Sequence, residues 1–517
     1  MQQSVPTPEG ESTELAKGAL GLKEVLFCIV TGAAPLAAMQ FNVPWAVGGA
    51  GTAGPATFLL ATIILTIFSI GYVEMARRVT SVGGFYSFIT HGFGRIVGMG
   101  AAITITLSYT IFAAANIGVT SYFANTSVKD WTNGSVDLPI PLLYAVLFVL
   151  MFALAYFHVE LTAKVLGVFL VTEIIGLLLF GGGVLLHGGD HGIAISNLNP
   201  LDIQNNSDAK AGFGALAGVA FFGAFWSWVG FEMAPNYAEE SRDPKKLMGS
   251  ATYISVIGLG VLYTFICWMY VAGWGPGKAS ASIASQFGIE GFAPLPHGYG
   301  SPFYVLTDRF VGHPLTLLFE LLIVTGSFAC MCAFFNTASR YFYSLGREGV
   351  LPRALGRTHP AHRSPYIASL VAGVIVFAWV VGFYLYDRSV LGALLKLGTY
   401  GPVLFVFGIL GIQALCSFAI IWYFWTKARD GWHWWKTGLA PLIGGGLQIP
   451  VMYLVNHYSG TLGGNVPILK YMVPIMFAVF IGGMALGWYY KVTDPARYEA
   501  IGHNMAPELD QPSPVHA

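Results

Sequence analysis

The sequence predicts an all-α membrane protein: about twelve transmembrane helices in a five-plus-five inverted repeat, with helices 1 and 6 broken. Three observations carry this. Hydrophobic residues make up 55% of the 517 residues and charged residues only 10%, against about 25% charged in soluble proteins. Apolar runs of about 20 residues, enough to cross a hydrocarbon layer of roughly 30 Å, recur along the chain. The first and sixth of these runs are interrupted at mid-depth, at corresponding places in the two halves.

A charged fraction this low leaves too little polar surface for a soluble enzyme of this size. Lys plus Arg equals Asp plus Glu at 26 each, so no basic field exists to attract nucleic acid. The five cysteines, Cys28, Cys267, Cys330, Cys332 and Cys416, all lie in apolar runs, which implies small hydrophobes and no disulfide framework. The motifs of ATP-driven or catalytic chemistry and cysteine pairs at metal spacing do not occur, so neither enzyme activity nor a cofactor is expected.

Taken in order, the expected spans cover 22–45, 53–75, 97–124, 139–158, 163–187, 212–237, 248–274, 313–345, 366–386, 397–426, 437–457 and 468–490. The runs at 97–124 and 313–345 are long enough to tilt or protrude. Nineteen of the 26 basic residues fall on the side of the N-terminus and seven on the other, which sets both termini in the cytoplasm by the positive-inside rule. Residues 1–20 and 492–517 read as disordered cytoplasmic tails. Residues 21–426 form the ten-helix core, and 427–491 supply two further helices suited to packing or dimer contacts. The Gly/Pro-rich external loop at 275–312 is a candidate lid or extracellular cap.

Span 1 has a poor helix at its centre, Thr31-Gly32-Ala33-Ala34-Pro35. Pro35 has no N–H for the helix, and Gly32 leaves helical geometry cheaply. The segment is either a packing kink or unwound backbone lining a cavity. Span 6 carries Ser227, Gly230 and Glu232 at mid-depth with Pro235 just beyond. Paired breaks in matching places point to a transport site between inverted repeats. Half-helix N-termini offer free N–H groups and half-helix C-termini offer carbonyls, so the backbone itself suits a zwitterionic amino acid. A diamine or simple amine would use only the carbonyl end.

Four segments resemble motifs of the amino acid, polyamine and organocation transporter superfamily, over roughly residues 20–426. Arg77-Arg78-Val79-Thr80-Ser81-Val82-Gly83-Gly84-Phe85-Tyr86 resembles the family's Pro-x-x-Gly-Gly-x-Tyr stretch, with Thr80 where Pro is frequent. Gly230-Phe231-Glu232 followed by Ala238-Glu239-Glu240-Ser241-Arg242-Asp243-Pro244 is similar to its GFE…AEE…NP stretch. Phe335-Asn336-Thr337-Ala338-Ser339-Arg340 with Gly346-Arg347-Glu348-Gly349-Val350-Leu351-Pro352 resembles the end of span 8 and its loop. In span 1 the usual Gly-Ser-Gly-Ile-Phe is replaced by Gly32-Ala33-Ala34-Pro35-Leu36. The resemblance implies an amino acid permease with a leucine-transporter-like fold.

Glu173 lies about ten residues into span 5, hence roughly 15 Å deep. Several sodium-independent members of the superfamily carry a Lys at the matching position, so here the charge sign is reversed. Burial penalises the charged form of a carboxyl group, which makes Glu173 a proton-coupling site, a permanently protonated structural acid or a direct substrate contact. Glu232 would meet the amine of a substrate, carry a proton, or cap free N–H groups. Glu320 is expected to pair with Arg309.

Phe225, Trp226 and Trp228 precede the second break. In the family an aromatic six residues before the GFE glutamate gates the site, which Trp226 matches; packing alone is the alternative, and a ring there also suits an ammonium group. Tyr109 and Asn116, seven apart on one helix face, line the site or hold helices together. Asn336, Thr337, Thr399 and Tyr400 have the same alternatives.

The expected function is secondary active transport of an amino acid or related amine across the plasma membrane, by proton symport with alternating access around a midplane site. The alternatives are a polyamine or amine importer, a substrate/product exchanger, or a membrane amine sensor without translocation. Expected partners are the small-molecule substrate, protons and membrane lipid, with the protein a monomer or homodimer.

Overall fold

The structure is a computed structural model that describes residues 21–79, 83–157, 159–204, 206–211, 214, 216–237, 241–286, 300–362, 364–462 and 471–502. The tails 1–20 and 503–517, the centre of the 275–312 loop, Thr80-Ser81-Val82, Ala238-Glu239-Glu240 and the beginning of the twelfth expected span lie outside the described residues.

The chain opens with α1 (Leu22–Ala33) and α2 (Pro35–Ala50), followed after one turn by α3 (Gly54–Arg78). Pro55 stands in the first turn of α3, where its missing N–H costs nothing, and Arg77 and Arg78 complement the helix dipole in its last turn. A short α4 (Gly84–Phe93) leads into α5 (Arg95–Trp131), then come α6 (Ile140–Phe157) and α7 (Val159–His187). The sixth apolar run is split between α8 (Ala217–Trp226) and a tight turn of helix at Phe231–Tyr237. Asp243 caps α9 (Pro244–Trp274), its carboxylate accepting the Lys246 N–H.

Two short helices, α10 (Lys278–Gln286) and α11 (Pro302–Phe310), precede α12 (His313–Arg347) and α13 (Tyr366–Tyr386). The one-turn α14 (Val390–Gly392) runs through a widened turn into α15 (Gly398–Thr426). The chain closes with α16 (Ala440–His457), α17 (Ser459–Leu462), α18 (Met472–Thr493) and α19 (Pro495–Ala500).

Among the described residues ten helical runs are long and apolar enough to cross a membrane. The first of these, Leu22–Arg78, holds both α1/α2 and α3, while neither part of the split sixth run is long enough to qualify. The 37 residues of α5 extend about 55 Å, so this helix outreaches the hydrocarbon layer as expected. It is the central post, packed along α12, α15 and α18, while α3 packs along α9. Cys267, Cys330, Cys332 and Cys416 are buried and unpaired.

The described parts of the 275–312 loop fold over the end of α2. Ser280 Oγ donates to the Val47 carbonyl at 3.3 Å. Asp190, just past α7, accepts from Lys278 Nζ at 2.9 Å and Arg309 Nη2 at 2.5 Å, and its N–H donates to the Ala272 carbonyl at 2.9 Å. The Arg309 guanidinium and then the Lys278 ammonium hold the Asp190 carboxyl down to about 2.

The expected Glu320–Arg309 pair does not form. Arg309 reaches Asp190, 119 residues away in the chain, and Glu320 instead accepts from Trp131 Nε1 at 2.5 Å. The reason is geometric: Arg309 sits on α11, a separate helix from the one that carries Glu320.

Candidate functional site

The first break falls on one residue. Ala34 has φ 41° and ψ 73°, a left-handed conformation that costs an L-residue about 1–2 kcal/mol. Its N–H closes α1 on the Val30 and Thr31 carbonyls, and its own carbonyl restarts the chain by accepting the Ala38 N–H at 2.7 Å. Pro35 then opens α2, with its fixed φ already suited to a helix.

Side chains from three other helices hold the groups this break sets free. The Leu36 N–H donates to Glu173 Oε2 at 3.1 Å, from α7. Cys330 Sγ on α12 donates to the Gly32 carbonyl at 3.1 Å, and the Tyr263 hydroxyl on α9 to the Ala33 carbonyl at 3.4 Å. Glu173 also abuts Gly326, where a Cβ would overlap its carboxylate.

The second break follows Trp226. Trp228 and Val229 donate to carbonyls three residues back, and Gly230 takes φ 119°, which glycine tolerates and other residues do not. Glu232 folds back so that Oε2 accepts the Gly230 N–H at 3.0 Å, while Oε1 accepts from the Tyr109 hydroxyl at 2.6 Å. The Tyr72 hydroxyl donates to the Glu232 carbonyl at 2.8 Å. Glu232 therefore caps a freed N–H, one of the roles weighed for it from sequence.

The two breaks touch backbone to backbone. A Cβ on Gly230 would stand 3.1 Å from the Gly32 carbonyl carbon and 3.2 Å from the Ala33 nitrogen. Beside this contact lies a cavity of about 30 Å³, room for water and not for an amino acid. Gly32, Ala33, Ala34, Ala37 and Ala38 line it with small groups, and Phe41, Phe112, Val119, Trp226 and Val229 with apolar ones. Asn42, Asn116 and Cys330 are its polar side chains. The Trp226 ring meets Phe41 edge-on at 4.8 Å and Phe112 at 5.9 Å.

Of the residues singled out from sequence, Gly32, Ala33, Ala34, Asn116 and Trp226 thus share one cavity. Thr31 and Pro35 flank it, and the Thr31 hydroxyl is buried without a partner. Tyr109 stands behind the cavity, on Glu232. Phe225 faces another way, among Leu65, Val406, Ile409 and Gln413. Asn336 is half-buried on α12 and does not line the cavity.

Sequence reasoning missed Phe41, Asn42, Phe112 and Cys330. Phe112 and Val119 continue the face of Tyr109 and Asn116 at helical spacing, so that signal was present. Asn42 gave none: its Nδ2 donates to Ser227 Oγ at 3.0 Å, across 185 residues of chain.

Glu173 and Glu232 are each 2% exposed. Among the described residues no lysine or arginine pairs with either, and no group of three or more His, Cys, Asp and Glu could hold a metal ion.

Residues 21–480 match the sequence profile of a family described as amino acid permease. The chain is 22% identical over 454 residues to the branched-chain amino acid permease BcaP of Bacillus subtilis, covering 84% of this chain and 86% of that protein. It is 25% identical over 346 residues to the gamma-aminobutyric acid permease of Escherichia coli, covering 64% and 67%. It is 23% identical over 370 residues to the methylthioribose transporter of Bacillus subtilis, covering 68% and 71%.

Proposed function

Given that the chain belongs to the amino acid permease family, we propose that it is a secondary active transporter moving a neutral amino acid across the plasma membrane by proton symport. In this reading the chain crosses twelve times, counting the broken first and sixth segments, with both termini cytoplasmic and the two five-helix halves inverted. The observation that carries it is the pair of abutting breaks beside a cavity that no charged side chain lines.

The backbone supplies the recognition. The Gly32 and Ala33 carbonyls that end α1 accept one bond each from Cys330 and Tyr263 and keep a second lone pair for an ammonium group. A substrate carboxylate would take the Leu36 N–H in place of Glu173. Charge elsewhere on the substrate would be buried without a partner at high cost. The side chain it carries is therefore uncharged, packed against Trp226, Phe41 and Phe112. A diamine finds no carboxylate lining the cavity.

Admitting even a small amino acid requires the breaks to part, and this is the step we assign to alternating access. Glu173 and Glu232 hold the two breaks and, among the described residues, have no cationic partner, so each is a group whose protonation would loosen its hold on a freed N–H. Proton binding is thereby linked to movement at the site.

The test is counterflow in proteoliposomes with valine, leucine, phenylalanine, gamma-aminobutyric acid and putrescine, followed by uptake under an imposed pH gradient. Counterflow of the neutral apolar amino acids and accumulation driven by inward protons are expected. Counterflow of putrescine alone would sink the substrate reading. Uptake that needs sodium and survives both Glu173→Gln and Glu232→Gln would sink the proton.

A further inference from the structure

A run of buried phenols leads from Glu232 toward the cytoplasmic end of α12, beyond anything substrate binding requires. Tyr109 donates to Glu232 Oε1 at 2.6 Å, and its ring stacks on Tyr341 of α12 with centroids 5.6 Å apart and planes 16° apart. The Tyr341 ring lies 6.2 Å from that of Tyr86 on α4. The Tyr86 hydroxyl donates to Glu348 Oε1 at 2.8 Å and lies 2.8 Å from Ser344 Oγ.

Between these ends, the Tyr341 hydroxyl and the Asn236 amide oxygen converge on Gly84. A Cβ there would stand 3.3 Å and 2.7 Å from them, and Gly84 has φ 47°. The second glycine of the Gly83-Gly84-Phe85-Tyr86 motif thus lets α4 start against these two polar groups. Tyr109 and Tyr86 are fully buried and Tyr341 is 2% exposed. Packing alone would be served by phenylalanine, since a buried hydroxyl costs free energy unless it is satisfied. Tyr341 and Glu348, seven residues apart, carry the run about 10 Å toward the cytoplasmic surface.

We propose that Tyr109, Tyr341 and Tyr86 form the path by which the symported proton passes from Glu232 to Glu348 and the cytoplasm; this rests on the proton-symport reading above. The Tyr341 hydroxyl interacts with Asn236 and the phenols meet through their rings, so the proton crosses from Tyr109 to Tyr341 and from Tyr341 to Tyr86 through bridging water, each phenol oxygen taking one proton as it gives its own to the next. Every tyrosine begins and ends neutral, one proton enters at Glu232 and one leaves at Glu348, and no electrons are exchanged.

The experiment uses full-length protein in vesicles loaded with a pH-sensitive dye, and compares substrate-driven proton entry with radiolabelled counterflow. Counterflow cycles the loaded, protonated carrier and needs no proton release inside. Tyr341→Phe and Tyr86→Phe keep the rings, and a thermal unfolding curve in detergent checks that each variant is folded. Counterflow at the wild-type rate with proton entry lowered at least about a hundredfold in both variants is expected, the scale of losing one proton-transfer group. Wild-type proton entry in both variants overturns the path, and so does a loss of counterflow equal to the loss of proton entry, which marks the phenols as packing. If the wild type itself counterflows but moves no proton with substrate, the symport reading has failed and the path with it.

Discussion

Gly230→Ala tests the contact on which the site depends. The substitution forces an L-residue to φ 119°, a strain of about 1–3 kcal/mol. The new methyl would stand 3.1 Å from the Gly32 carbonyl carbon and 3.2 Å from the Ala33 nitrogen. Those are backbone atoms of the other break and cannot swing aside as a side-chain tip would, so overpacking adds about 1–3 kcal/mol. The sum is about 2–6 kcal/mol.

Gly258→Ala on α9 is the control. A Cβ there meets nothing within 4 Å and no positive φ is involved, so helix propensity stabilises it by about 0.8–1 kcal/mol. Tryptophan-fluorescence melting of both purified variants in detergent, with counterflow measured alongside, reads the difference. Gly230→Ala is expected to melt well below wild type and to lose counterflow, and Gly258→Ala to do neither. A Gly230→Ala protein that melts within about a degree of wild type and still transports would refute the close approach of the two breaks.

Glu173→Gln keeps a carbonyl acceptor for the Leu36 N–H while removing the exchangeable proton, so counterflow should persist and accumulation driven by an inward proton gradient should fall toward the level without a gradient. Glu173→Ala leaves that N–H unsatisfied and is expected to destabilise by about 1–3 kcal/mol in chemical or thermal unfolding. Trp226→Ala opens the apolar wall of the cavity; about 3–5 kcal/mol of stability should be lost, and half-saturation for leucine should rise more than that for alanine. Asp190→Asn removes the shared partner of Lys278 and Arg309 and should speed hydrogen exchange in α10, read by mass spectrometry. Because the Asp190 carboxyl is held down to about 2 in the folded protein, its stabilisation is complete above the ordinary carboxyl range and is lost as pH falls toward that value. Protection factors in α10 of the wild type, that is exchange rates corrected for the intrinsic base-catalysed rise with pH, should therefore be unchanged between pH 5 and 8, and a fall in protection as pH drops within that window would refute the ion cluster.

Much of the site was legible because local chemistry dictated it. Pro35 and Gly32 announced the first break, yet the left-handed residue is Ala34, flanked by both. The physical reason is that proline disfavours the helical conformation in the residue before it. Gly32 stays within α1, where a Cβ would meet only ordinary contacts, the nearest at 3.5 Å. Depth counting found Glu173 and Glu232 because a carboxyl group in the middle of an apolar run stands out in any sequence. Partnerships between distant segments were not legible: Cys330 on the Gly32 carbonyl and Asn42 on Ser227 join positions 298 and 185 residues apart. Arg309 misled for the same reason, since proximity in sequence to Glu320 said nothing about where α11 points.

The two breaks are held differently, and the difference bears on the proposed coupling. Glu232 belongs to the segment it caps, so a change at its carboxyl acts first on its own turn and on Tyr109. Glu173 comes from α7 and grips α2, so the same change there releases one helix from another. Gly230 against Gly32 then joins the two events through backbone that has no side chain to absorb a shift. In the proposed cycle, a displacement of either break would be transmitted to the other, and the cavity beside them would widen or stay shut with both. Under the proposed symport, a proton on one carboxyl would therefore act on the whole site, and one coupled ion would be sufficient to bias a cavity lined by uncharged groups.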